Sequence, residues 1–178
     1  NSLLVLEGSP KEQAIKQALA DPEKEVRVAG LDLLKDLDVQ ENIKIELLSE
    51  VIEKRTTEEK QAAVLALASL SLEGSRPVFE KLVGQLENGS LPTEIQLELS
   101  EALDSAGASE LALRNKAFYE NLSPDSLVAS YAGSLYGGNE ELGRRTFFRN
   151  QSAQCVRCHA YDDMGGGAGP PINGVAGK

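Results

Sequence analysis

Both cysteines and the single histidine of the 178-residue chain fall within six positions, Gln154-Cys155-Val156-Arg157-Cys158-His159. Two thiols three residues apart can each add to a vinyl group of haem. An imidazole directly after the second thiol is then placed to ligate the iron from one face. The run therefore reads as a c-type haem attachment site, with Cys155 and Cys158 as thioether sulfurs and His159 as the proximal iron ligand. Three other chemistries compete for the same residues. A thioredoxin-like dithiol wants a βαβ setting, and the flanks here are helical in pattern. A zinc site needs four ligands, usually from two separated pairs, and only Asp162 and Asp163 lie nearby. Purely structural cysteines need no x-x-C-H context. Haem attachment is the reading that uses all three residues.

The elements that must position this run are helical. Hydrophobic residues make up 41% and charged residues 26%, ordinary for a globular protein, and few residues are aromatic. Ala and Leu supply most apolar positions, which suits packed helices. The formal charge of −10, with no basic stripe, argues against nucleic acid as a partner. No run approaches ~18 apolar residues, so no transmembrane segment is expected. The first residue is Asn rather than Met and no signal peptide is seen, so the sequence is expected to be a fragment or processed product.

Ala14, Ile15, Ala18 and Leu19 share one helix face, and Asp21-Pro22 breaks that helix, with Asp21 expected as the next N-cap. The following helix is expected to bury Val26, Ala29, Leu33 and Leu37, broadened by Val28, Leu31 and Leu34. Ile43, Leu47, Leu48, Val51 and Ile52 mark a third helix. Thr56 and Glu59 form a capping box before a fourth, which runs through Ala62, Ala63, Leu65, Ala66, Leu67 and Leu70. A further pair carries Pro77, Val78, Phe79, Leu82, Val83 and Leu86, then Ile95, Leu97, Leu99, Ala102 and Leu103 after Leu91-Pro92-Thr93-Glu94. Leu111, Leu113, Ala117, Phe118 and Leu122 close the series. Aligning Glu25-Val26-Arg27, Glu59-Lys60-Gln61 and Glu94-Ile95-Gln96 gives steps of 34 and 35 residues, a two-helix period that signals an α-solenoid. Residues 21–29, Asp-Pro-Glu-Lys-Glu-Val-Arg-Val-Ala, resemble the second-helix signature of HEAT repeats, although Arg27 becomes Gln61 and Gln96 further on. Armadillo-like or irregular helix pairs fit the period as well. Such a stack either buries its own core as a scaffold or offers a concave surface to a neighbour.

The expected organisation is all-α, in three parts: a HEAT-like repeat domain at 1–123, a connecting helix and glycine-rich linker at 124–138, and a haem-motif domain at 139–178. Ser123 caps a helix from Pro124 through Leu127, Val128, Tyr131 and Leu135 to Gly137-Gly138. Asn139-Glu140-Glu141 opens another helix that continues to Arg149. Residues 160–178 show no helix period and read as loop.

The flanks of the haem motif resemble class I cytochromes c. Gly143 and Phe147 match the glycine and aromatic residue of that family's first helix, and Gly169-Pro170-Pro171-Ile172-Asn173-Gly174 matches its Gly-Pro-x-Leu/Ile-x-Gly segment. The resemblance implies that the Pro170 carbonyl accepts the second N–H of His159, orienting the ring and raising its basicity. Residues 143–159 also resemble the C-terminal haem domain of multidomain bacterial proteins described as membrane-bound dehydrogenases, which join a sugar-dehydrogenase-like propeller, HEAT-like repeats and a cytochrome domain.

In class I domains a second axial ligand, usually Met, comes from well downstream, with a C-terminal helix after it. The sequence here reaches 19 residues past His159, so only the N-terminal part of such a domain is expected. Phe147 or Phe148 is then expected to dock on the repeat domain or stay partly exposed. Met164, five residues after His159, reads first as a loop residue and only second as a distal ligand.

These readings imply an exported, periplasmic electron-transfer module with covalent haem c. Its partners are a redox protein or a dehydrogenase domain of the same parent chain. Catalysis belongs to such a parent, a quinoprotein-like sugar dehydrogenase, rather than to this segment. The alternative is an interaction scaffold whose haem segment stays unloaded.

Overall fold

In the computed structural model, residues 9–122 and 131–175 are described, and side chains from residue 13 onward within those ranges. The described residues are predominantly helical: eight α-helices and one two-stranded sheet. Helix α1 spans Ser9–Leu19, α2 Lys24–Leu34, α3 Glu41–Lys54, α4 Thr57–Leu67, α5 Leu72–Glu87, α6 Gln96–Ser105, α7 Ser109–Leu122 and α8 Glu140–Arg149. None of them is long and apolar enough to cross a membrane. The chain divides into two compact units, residues 1–137 and 138–178.

In the first unit, α1 packs on α2, α3 on α4, and α6 on both α5 and α7. Across these pairs α2 contacts α4 and α4 contacts α6, while α3 contacts α5 and α5 contacts α7. One core runs through the unit, from Ile15 and Leu19 through Leu48, Val64 and Leu67 to Phe79, Leu82, Leu99, Leu103 and Leu111. Burial of aliphatic side chains at ~25 cal/mol per Å2 drives this assembly.

Several faces differ from the sequence reading. In α2 the buried residues are Gly30, Leu31 and Leu34, with Leu37 just beyond it, whereas Val26 is 42% exposed and Ala29 is exposed. The apolar run from Val26 to Leu34 is broad enough to fit two rotations of the helix, and packing on α1 and α4 selects one. In α4, Val64 is buried and Leu65 exposed. In α7 the inward face is Leu111, Asn115 and Tyr119, while Leu113 and Leu122 are 67% and 63% exposed and Ala117 is also outside. Polar Asn115 concealed that face: its Nδ2 donates to Ser100 Oγ at 2.8 Å, while its Oδ1 is buried without a hydrogen-bond partner.

Helix starts shift in two places. Asp21 does not cap α2; its Oδ1 accepts from the Glu23 amide at 2.9 Å, and Glu23 is the cap residue. This side-chain turn holds the chain one step before the helix. Thr93–Ile95 forms a 3-10 turn before α6. Ser123, Pro124, Leu127 and Val128, expected to begin the connecting helix, lie outside the described residues. Ala132–Leu135 is a 3-10 turn whose Leu135 is exposed, as is Tyr131 beside it.

The aligned positions 27, 61 and 96 each reach toward the next helix pair. Arg27 Nε donates to Glu59 Oε1 at 2.7 Å and its Nη2 to Oε2 at 3.2 Å, while Nη1 reaches the Asp21 carbonyl at 2.7 Å. Gln61 Nε2 donates to the Glu94 carbonyl at 2.8 Å and to that of Gly137 at 2.9 Å. Gln96 Oε1 accepts from the Tyr119 hydroxyl at 3.2 Å. The substitution of Arg by Gln along the series keeps the polar link and changes its partner.

Glu59 is only 1% exposed and also accepts from the Thr56 hydroxyl at 2.7 Å, within the expected capping box. The Arg27 hydrogen bond, helped by Thr56 and opposed by burial, lowers its carboxyl from 4.5 to about 2. A carboxylate with a depressed folded value contributes stability above its unfolded value and loses it as pH falls toward the folded one. Glu59→Ala is expected to destabilise the protein by about 3 kcal/mol at neutral pH, because it strands Arg27. Urea titrations between pH 5 and pH 2 should show a shallower loss of stability in that variant than in the parent.

Candidate functional site

Asn139 caps α8, its Oδ1 accepting from the Leu142 amide at 2.9 Å, and Glu140 and Glu141 charge the first turn as the sequence predicts. After the helix, Asn150 Oδ1 accepts from the amides of Ser152 at 2.9 Å and Ala153 at 2.8 Å, turning the chain sharply. Gln154 then adopts the left-handed conformation, φ 48° and ψ 35°. The single 3-10 turn Cys155–Arg157 follows, tied by Arg157 Nη1 donating to Gln154 Oε1 at 2.6 Å.

The Cys155 carbonyl accepts from the Cys158 amide at 3.2 Å and the His159 amide at 3.0 Å. These are the i+3 and i+4 bonds of one helical turn, the offsets at which residues become neighbours on a helix surface. C-x-x-C-H spacing thus has a local structural meaning here. Both cysteines are free thiols, Cys155 half-buried and Cys158 exposed.

Residues 160–178 were expected to be loop, but a short hairpin forms at their start: β1, Ala160–Tyr161, pairs antiparallel with β2, Met164–Gly165. Asp162 and Asp163 make the turn with φ of 51° and 60°, the two positive values of a type I′ hairpin. Asp-Asp is an uncommon choice for that turn, which hid it in the sequence. Met164 is 48% exposed and faces Tyr161 in the register. Phe147 and Phe148 are half-buried and meet Tyr161 edge-on, with ring centroids 6.3 and 6.5 Å away.

The tail then runs back beside the motif. The carbonyls of Val156, Cys158 and Ala160 accept from the amides of Gly166 at 2.8 Å, Gly169 at 2.6 Å and Ile172 at 2.9 Å. Between them, His159 Nδ1 lies 2.8 Å from the Pro170 carbonyl oxygen. A carbonyl only accepts, so Nδ1 donates, and in the neutral ring this leaves the lone pair on Nε2. That is the tautomer in which a neutral imidazole binds a metal through Nε2. Gly169 lies flat against the ring: a Cβ there would sit 2.6 Å from Cε1 and 2.7 Å from Nδ1. Cβ atoms at Gly165 and Gly166 would strike the carbonyls of His159 and Arg157, so the Gly-rich tail is close-packed backbone.

Asp162 belongs to a different set of contacts from the cysteines. Its Oδ1 accepts from Asn173 Nδ2 at 2.9 Å, its amide donates to Asn173 Oδ1 at 3.1 Å, and its Oδ2 accepts from Arg144 Nη1 at 3.2 Å. Arg144 and Asn173 stand in the sequence only within the runs that resemble cytochrome domains, with no role of their own. Among the described residues no three His, Cys, Asp or Glu side chains converge as ligands for a metal ion. Comparison with protein families, curated proteins and solved structures finds nothing that matches this chain.

Gly169→Ala is expected to push the imidazole off the Pro170 carbonyl. The His159 ring nitrogen-15 spectrum would then change from one tautomer to a mixture, with the amides of α8 unshifted.

Proposed function

We propose that the chain is an electron-transfer module: an α-solenoid of HEAT-like pairs over residues 1–123, joined through 124–138 to the N-terminal part of a class I cytochrome c domain over 139–178. Haem c would be held covalently through Cys155 and Cys158, with His159 as proximal ligand. The observation that carries this reading is the state of His159. Its Nδ1–H is committed to Pro170, its ring face rests on Gly169, and its Nε2 lone pair is left for a metal. The Pro170 contact is the one that the sequence resemblance implied for a proximal histidine.

The residues present suit the group. Both thiols are unpaired and sit at the i and i+3 positions of one turn, so each sulfur is free to form its own thioether. Pro170 holds the ring in one orientation, and an acceptor on Nδ1 raises the basicity of Nε2. Haem, when bound, supplies one-electron redox chemistry, and the chain's part is to fix one axial ligand and its surroundings. The succession of α2, α4 and α6 contacts beside that of α3, α5 and α7, with side-chain links recurring at 27, 61 and 96, supports the repeat reading of the first unit. The electron partner would be a redox protein or a dehydrogenase domain of a longer parent chain, outside the cytoplasm where c-type haem is attached. The acidic charge disfavours nucleic acid.

Expression with c-type maturation machinery tests the proposal. A pyridine haemochrome spectrum and a mass gain of one haem are expected, both lost in the Cys155→Ser, Cys158→Ser double variant. Protein that emerges folded from that host without covalent haem overturns the reading and leaves an interaction scaffold.

A further inference from the structure

Three segments of the second unit meet at one acidic side chain. Asp162 stands in the hairpin turn, Arg144 on α8, and Asn173 three residues after Pro170 in the returning tail. Asp162 and Asn173 exchange two hydrogen bonds, at 2.9 and 3.1 Å, which is a bidentate clasp rather than a chance contact. Arg144 adds the third bond at 3.2 Å. Its guanidinium also lies 5.4 Å from the Phe148 ring centroid and 5.5 Å from that of Tyr161. A planar cation held by two rings and a carboxylate has a defined orientation, which a flexible ammonium would not reproduce.

The clasp adds side-chain anchors to a Pro170 loop that backbone bonds hold on either side. On one side the loop is fixed by the Gly169 amide on Cys158, and on the other by the Ile172 amide on Ala160. Beyond Ile172, the Asp162–Asn173 pair keeps the tail against the hairpin. Pro170 contributes a carbonyl and no amide, so it cannot anchor itself. We propose that Arg144, acting through Asp162 and Asn173, is a positioning residue that holds the Pro170 carbonyl on His159 Nδ1. The clasp thereby selects the imidazole tautomer whose Nε2 is open to a metal. This deepens the haem reading, yet it concerns side chains of the chain itself and is measured before any haem is attached.

The test uses the full chain without haem, labelled with nitrogen-15, followed across pH so that the spectra of the neutral ring are read directly. The chain holds one histidine, so its ring nitrogens give an unambiguous signal. The parent is expected to show the Nδ1–H form almost alone. Asn173→Ala and Arg144→Gln should each raise the Nε2–H share about tenfold, and Arg144→Lys should recover only part of the loss. Amide signals of Cys155–His159 report whether the turn is intact. If Asn173→Ala melts it, Asp162→Asn, which keeps the size and removes the charge, takes its place. An unchanged tautomer ratio in variants with an intact turn overturns the proposal, as does Arg144→Lys behaving identically to Arg144→Gln. Neither outcome touches the haemochrome result, so failure of the clasp and failure of the haem reading are told apart.

Discussion

A proline carbonyl can only accept a hydrogen bond, and residues 138–175 are arranged around that restriction. In the neutral ring, the 2.8 Å contact between His159 Nδ1 and the Pro170 oxygen places the proton on Nδ1 and leaves the lone pair on Nε2. For the contact to exist, the tail must return past the motif at close range. Gly165, Gly166 and Gly169 permit this, since a side chain at any of them would enter the backbone of residues 157–159 or the imidazole itself. The amides of Gly166, Gly169 and Ile172 then find acceptors at alternate residues of the motif segment, Val156, Cys158 and Ala160. Glycines that look like flexible linker in the sequence act here as permission for close packing.

The first unit solves its problem by different means. Its core is continuous and aliphatic, and its polar side chains mostly tie one helix pair to the next. Most of those ties are exposed ion pairs worth little apiece, such as Lys24–Glu58 and Arg114–Glu87. Arg27–Glu59 is the exception, because Glu59 is buried and every bond it makes favours its charged form except burial itself. Removing either partner would leave a charge without compensation, whereas the exposed pairs can be lost singly.

Local signals in the sequence were strong where one residue type has one use. The Thr56/Glu59 capping box, the Asn139 cap and the inward faces of α1 and α5 could be read directly, because spacing alone decides them. The rotation of α2 and α7 could not. In α2 six apolar residues in nine positions fit more than one face, and in α7 the inward face carries Asn115 and Tyr119 while Leu113 points out. Those choices belong to tertiary packing. In the second unit the residues of the motif were legible and their supports were not. Asp162, Asn173 and Arg144 lie 11 and 18 residues apart in pairs, and no local pattern announces such a triangle.

The two units also differ in what they bury. None of the described residues from 138 to 175 is fully buried: Phe147, Phe148 and Tyr161 cluster edge-on yet stay half-exposed, and Leu142 is open to solvent. Units that bury so little apolar surface usually add disulfides, metals or a partner surface. Here the cysteines are unpaired, so the usual covalent staple is not in use. On the proposed reading, the porphyrin would itself supply the missing apolar body, fastened by the two sulfurs and by Nε2. Backbone hydrogen bonds and close-packed glycines would then set the histidine beforehand, and the cofactor would add apolar surface to residues that bury little of their own.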